Sequence, residues 1–129
     1  MTRSILIVDD SETSRMIIRK CFSMTSDQDS TFFEAEDGIR ALSILSNTEV
    51  DLVVTDLNMP RMDGVTLVRK LRKGDKTRGL PVIVISSMGN EDLDQELRDL
   101  AVTAIIRKPL TPGKILTALE PAPDDQGGF

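Results

Sequence analysis

The sequence predicts a three-layer α/β domain in which five β-α units are doubly wound into one parallel five-stranded sheet. Three observations carry that expectation. Short runs of Val, Ile and Leu recur along the chain, and three of the four strong ones are continuous rather than alternating, as parallel strands covered on both faces require. Segments with apolar residues at helical spacing separate them. The alternation of strand and helix is unbroken, and right-handed crossovers turn such an order into a sheet with helices on both sides. With 129 residues the chain can bury one core and is too short for two ordinary domains.

The first run, Ile5-Leu6-Ile7-Val8, is followed by a helical stripe of Ile17, Cys21 and Met24. A weaker second run, Thr31-Phe32-Phe33, is expected at an edge, less buried than the others, and leads into a helix opened by Asp37-Gly38 and marked by Ala41, Leu42 and Leu45. The third run, Leu52-Val53-Val54, precedes a helix with Val65, Val68 and Leu71 inward. The fourth, Pro81–Ile85, precedes the cleanest stripe: Leu93, Leu97, Leu100 and Ala101 at i, i+4, i+7 and i+8. The fifth, Ala104-Ile105-Ile106, is followed by a Thr111-Pro112 helix start with Ile115, Leu116 and Leu119 behind it. Residues 1–120 then form one domain. The tail 121–129, with two Pro, two Gly and two Asp, is expected to be disordered.

Composition narrows the chemistry. The chain is 40% apolar and 29% charged with net charge −5, which argues against general nucleic-acid binding because that depends on neutralising phosphates. Four Phe with no Trp or Tyr leave no stacking platform for single strands. The single Cys21 allows no internal disulfide, fits a reducing, cytoplasmic setting, and reads as core. The start of the chain holds neither a signal peptide nor a membrane span. Histidine is absent, so Ser-His-Asp and Cys-His triads and most zinc sites are excluded, and chemistry must use carboxylates, hydroxyls, Lys or Arg.

Open parallel sheets bind ligands beyond the carboxyl ends of their strands. There the sequence places Asp9-Asp10 after the first run, Asp56 after the third, Ser86-Ser87 after the fourth and Lys108-Pro109 after the fifth. Singly, each has an ordinary explanation as a helix cap, a turn or a surface residue. Together they do not. Two carboxylates 4 Å apart repel by about 4 kcal/mol at an effective dielectric near 20, so such a cluster takes up a proton or holds a cation. Mg²⁺ (or Mn²⁺) suits it, because a hard ion takes a few protein oxygens and keeps several waters. Asp10, Asp56 and a backbone carbonyl just past Asp56 can ligate it, Asp9 can hold a water of its shell, Lys108 supplies a positive charge and Ser86 a hydroxyl donor. This is a kit for phosphoryl transfer to the Asp56 carboxylate.

The pair Asp9-Asp10, the run Asp56-Leu57-Asn58-Met59-Pro60 with Asp63-Gly64, Ser86 and Lys108-Pro109 together resemble the receiver domain of bacterial two-component response regulators, of the CheY-like stand-alone type. The resemblance covers roughly residues 3–120. It implies a flavodoxin-like/CheY-like fold with strand order 2-1-3-4-5. It implies a phosphoryl group accepted on Asp56 from a sensor histidine kinase or histidine phosphotransfer protein, Mg²⁺ held by Asp9, Asp10, Asp56 and the Asn58 carbonyl, and Ser86 and Lys108 meeting the phosphoryl oxygens. The chain would then be no enzyme beyond its own phosphorylation and dephosphorylation. Its output would be a protein target met by the fourth helix, fifth strand and fifth helix, with no nucleic acid and no membrane. Asn90 is expected to cap the fourth helix, with Gly89 as a hinge before it. One departure stands out: the family's switch aromatic, three residues before the lysine, is here Ile105, and a common Gly ahead of the fifth strand is here Ala101. Other readings are a phosphate carrier or sink in a relay, a haloacid-dehalogenase-type phosphatase, which wants an acid where Asn58 stands, and a flavodoxin-like FMN binder, whose phosphate Asp9-Asp10 would repel.

Overall fold

The computed structural model describes residues 3–25, 29–87 and 90–119. Ten elements alternate without interruption: β1 (Ser4–Val8), α1 (Glu12–Ser23), β2 (Thr31–Ala35), α2 (Gly38–Asn47), β3 (Leu52–Asp56), α3 (Gly64–Lys73), β4 (Val82–Ser86), α4 (Glu91–Asp99), β5 (Ala104–Arg107) and α5 (Pro112–Leu119). The strands form one parallel sheet in the order β2-β1-β3-β4-β5. The expected hinge at Gly89 and the tail 121–129 lie outside the described residues.

Strand alternation sorts the core into two faces. Leu6, Val8, Val53, Val82 and Val84 pack against Ala41 of α2, the inward side of α3 and Leu97 of α4. Ile5, Ile7, Leu52, Val54, Ile83, Ile85 and Ile106 pack against Ile18, Cys21 and Phe22 of α1 and Ile115 of α5. The runs read as continuous are therefore buried on both faces. At the edge, β2 is more exposed, as its weaker pattern suggested. Cys21 is core.

The stripe read for α1 is rotated. Ile17 is 47% and Met24 64% exposed, while Ile18 and Phe22 turn inward beside Cys21. Adjacent helical residues lie about 100° apart, so the stripes through residues 17 and 18 are neighbours. Phe22 decides between them, as it buries completely and meets the Phe32 ring edge-on at 6.4 Å. Ala101 falls outside α4, in the left-handed region at φ 59°, where an L side chain costs about 1–2 kcal/mol.

That strained corner is fastened by Arg72 of α3. Its Nε donates to the Leu100 carbonyl at 2.7 Å and its Nη2 to Ala101 at 3.2 Å, while Nη1 reaches the carbonyls of Thr77, Arg78 and Leu80 at 3.3, 3.0 and 2.8 Å. One guanidinium thus closes the end of α4 and the α3–β4 connection together. Nearby, Arg69 pairs with Glu96 and Arg78 with Asp75. Arg72→Met keeps most of the stem and leaves five carbonyls without this donor. It should lower the free energy of unfolding by roughly 3 kcal/mol, read as a lower urea midpoint at unchanged slope. A loss no larger than that of Arg78→Met, which cuts an exposed ion pair, would refute this assignment.

Candidate functional site

Register brings the polar residues to one level. Val8 lies opposite Thr55, so Asp9 continues β1 beside Asp56. Asp56 lies opposite Ile85, one residue short of Ser86. Ser86 lies opposite Arg107, one residue short of Lys108. The Lys108 N–H donates to the Ser86 carbonyl at 2.9 Å, which extends the ladder to the site itself.

One carboxylate oxygen each from Asp9, Asp10 and Asp56 lie within 4.8 Å of one another. The Lys108 ammonium stands 3.7 Å from Asp56 Oδ1. Asp56 and Asp9 are buried and Asp10 is exposed, so the cluster opens to solvent on one side. Ser86 is buried at the end of β4. The acids, the hydroxyl-bearing strand end and the ammonium read from the sequence are therefore one group. Asn58 is exposed, two residues past Asp56 in the β3–α3 connection. Ile105 is half-buried and packs on the α3–α4 side of the sheet.

Asp9 is held on three sides. Its N–H donates to the Ala35 carbonyl at 3.0 Å, its Oδ1 accepts from the Ser11 N–H at 2.9 Å, and its carbonyl accepts from Arg15 Nη1 at 2.6 Å. Arg15 is itself anchored on Glu34 at 2.8 Å. Asp9 Oδ2, by contrast, is buried with no partner among the described residues. A buried carboxylate oxygen without a partner, on a residue clustered with two other acids, is what a site suited to a cation or its water shell presents. Burial pushes the Asp9 carboxyl pKa up. The Ser11 N–H works against that, and the charges of Asp56 and Asp10 add to it.

The β3–α3 connection is fixed at several points. Asp56 Oδ1 accepts from the Leu57 N–H at 2.9 Å, and Thr55 Oγ1 donates to the Asp56 carbonyl at 2.9 Å. The Gly64 N–H returns to the Leu57 carbonyl at 2.9 Å, and a Cβ at Gly64 would collide with the Asp56 carbonyl oxygen, so glycine is required there. Arg61, at φ 66°, pairs with the buried Asp37, which also caps α2 through the Arg40 N–H at 2.8 Å. Those two donors hold the Asp37 carboxyl below its usual range, Arg40 contributing most. Asn90 caps α4, accepting from the Leu93 N–H at 3.0 Å, as read from the sequence. The sequence reading missed Arg15, Arg61, Arg107 and Lys114, which donate to carbonyls or carboxylates of other elements and loops. No spacing rule marks such partners.

The family description "response regulator receiver domain" matches residues 5–120. The chain is 35% identical over 117 residues to a chemotaxis protein CheY homolog of Campylobacter jejuni, covering 90% of this chain and 88% of that protein. It is 36% identical over 107 residues to the sensor histidine kinase TmoS of Ectopseudomonas mendocina, covering 83% of this chain and 11% of the kinase. The chemotaxis response regulator CheY4 of Vibrio cholerae superposes with a TM-score of 0.81 at 25% identity, covering 92% of this chain and 97% of that one.

The Asp9 geometry has a measurable consequence. Because burial raises its pKa above the unfolded value, the folded chain holds that proton more tightly, and ionised Asp9 costs stability. The cost is fully present above the raised value and is relieved as pH falls through it. Asp9→Asn removes the charge while keeping an acceptor for the Ser11 N–H. In chelator at neutral pH the variant should melt higher than the parent. Added Mg²⁺ should narrow or reverse the difference by stabilising only the parent. An equal or lower melting temperature in chelator would count against the strained cluster.

Proposed function

The chain belongs to the response regulator receiver domain family, and from that premise we propose that it accepts a phosphoryl group on Asp56 and thereby switches a protein-protein contact. Receiver domains are signalling proteins rather than classical enzymes; they interact with histidine kinases, and as a family they bind Mg²⁺. The observation that carries the assignment to Asp56 is its position: a buried carboxylate on the central strand, 3.7 Å from the Lys108 ammonium and inside the three-acid cluster.

The residues divide the work as follows. An Asp56 carboxylate oxygen attacks phosphorus, so an O–P bond forms as the bond to the donor imidazole nitrogen breaks and the imidazole leaves. No general base is called for, because a carboxylate nucleophile, unlike a hydroxyl, has no proton to give up as it attacks. Lys108 supplies positive charge to the oxygens of the moving group, and the Ser86 hydroxyl donates to one of them. Asp9, Asp10, Asp56 and the Asn58 carbonyl would hold Mg²⁺, which when bound neutralises charge on the phosphoryl oxygens. Its loss would slow both phosphorylation and the return by water.

The phosphoryl group then favours one arrangement of the α4, β5 and α5 surface, which a partner reads. Moving such an equilibrium from 1:99 to 99:1 takes about 5.5 kcal/mol, and a few charge-assisted hydrogen bonds of roughly 1.5–3 kcal/mol each supply it. Likeness to CheY proteins supports a messenger in chemotaxis, and the receiver segment of a sensor kinase supports the second reading, a carrier or sink in a relay. Either role places the chain in the cytoplasm beside a histidine kinase or phosphotransfer protein. Among the described residues no helix is long and apolar enough to cross a membrane.

Incubation with acetyl phosphate and Mg²⁺, followed by intact-mass measurement, tests the assignment. One phosphoryl group should be gained, and none by Asp56→Asn or in chelator. Label retained by Asp56→Asn would move the acceptor elsewhere, and no gain under several small donors would overturn the reading.

A further inference from the structure

We propose that Lys108 is held in place by a clamp outside the phosphoryl site, made of Lys114 on α5 and the pair between Arg107 of β5 and Asp94 of α4. The inference rests on the reading of Lys108 as the cation that meets the phosphoryl group, and it names residues that set that cation's position.

The Lys114 ammonium donates to the Arg107 carbonyl at 2.9 Å and to the Pro109 carbonyl at 2.7 Å. These are the carbonyls of the residues on either side of Lys108. One side chain from the first turn of α5 therefore ties both flanks of the residue that must present its own ammonium to Asp56. On the third side the Lys108 N–H is bonded to Ser86. Strand alternation sends the Arg107 side chain to the opposite face from Lys108, where it pairs with Asp94 of α4. The backbone at Lys108 is thus fastened to β4, α4 and α5 at once.

Two details argue against a purely structural role. An Arg-carboxylate pair can make two parallel bonds, yet Asp94 Oδ1 and Arg107 Nη1 are both buried without partners among the described residues. The pair is held by one contact, with a second donor and acceptor in reserve, so a small shift of α4 along β5 exchanges contacts. The same stretch lacks the aromatic that would otherwise link the strand to α4, since Ile105 offers only packing. The clamp links Ser86 through its register partner Arg107 to Asp94, and so connects the site to the helices of the output face. By reciprocity, a partner that moves α4 or α5 alters how well Lys108 serves phosphoryl transfer. Such a dependence is reasonable because misplacement of a charged group by about 1 Å costs roughly a hundredfold in rate.

The test uses Lys114→Met, which keeps the stem and deletes the ammonium, Lys114→Arg, which restores donors, and Asp94→Asn. Amide hydrogen exchange of Lys108 in the unphosphorylated protein should speed up roughly tenfold in Lys114→Met and Asp94→Asn, with β1 and β3 amides unchanged and protection regained in Lys114→Arg. Phosphorylation by saturating acetyl phosphate should slow roughly tenfold in Lys114→Met, with the half-saturating donor concentration unchanged. Adding Lys114→Met to Lys108→Met should cost nothing further. Unchanged protection at Lys108, or losses from the two lysines that multiply, would overturn the clamp. The exchange measurement needs no phosphoryl transfer, so it decides the clamp even if Asp56 proves not to be the acceptor.

Discussion

Three carboxylates that repel one another are held within 4.8 Å at the carboxyl edge of the sheet, and the rest of the molecule is arranged around keeping them there. Asp9 and Asp56 sit on adjacent strands, β1 and β3, that are buried on both faces. Neither strand can yield without giving up apolar burial worth roughly 1.5–3 kcal/mol per large side chain. The compensation is local and incomplete. Backbone N–H groups of Ser11 and Leu57 each satisfy one oxygen, and Lys108 supplies a cation at ion-pair rather than hydrogen-bond distance from Asp56. What remains unbalanced, Asp9 Oδ2 above all, is the capacity of the site. A fold selected for stability alone would place an amide there. This one keeps the charge and relies on its core to carry the cost.

The surrounding guanidinium groups serve the same constraint at a distance. Arg15 holds the Asp9 carbonyl, Arg61 holds the β3–α3 connection to α2 through Asp37, and Arg107 holds the end of β5 to α4. None is within the acidic cluster of Asp9, Asp10 and Asp56. Each is a rigid planar donor placed on backbone or on a partnered carboxylate, which fixes the loops at the strand ends without neutralising the acids. The cation beside Asp56 is instead a lysine, Lys108, a compact point charge at 3.7 Å.

The fold was legible because its signals are short-range. Continuous Val and Ile runs, helix-start residues such as Asp37 and Asn90, and the unbroken alternation each depend on a few neighbouring residues. The grouping of the candidate residues was legible because parallel strands deliver their ends to one edge, so Asp9, Asp56, Ser86 and Lys108 could be placed together without knowing a single distance. The helical face of α1 was misread because Ile17 and Ile18 are chemically alike; only the shape of Phe22 against Phe32 separates them. The arginine contacts were invisible for a different reason. Arg72 joins α3 to the end of α4 and Arg61 joins two loops, and sequence separation of this kind leaves no periodic trace.

Ile105 shows how these levels interact. At the sequence level it removes an aromatic whose rotation would report on Ser86, and nothing nearby replaces that group in kind. In the structure Ile105 is packed on the α3–α4 side, where a branched aliphatic has few alternative rotamers and little reason to move. The next residue facing that side is Arg107, paired by register with Ser86 and by charge with Asp94. An aromatic couples a strand to a helix through shape, over a range set by its ring. An ion pair couples them through a bond that one small displacement makes or breaks, and its strength rises as water leaves. The substitution therefore need not silence the connection between the acid cluster and α4. On the proposed clamp that connection lies two residues further along β5 and rests on charge rather than on packing.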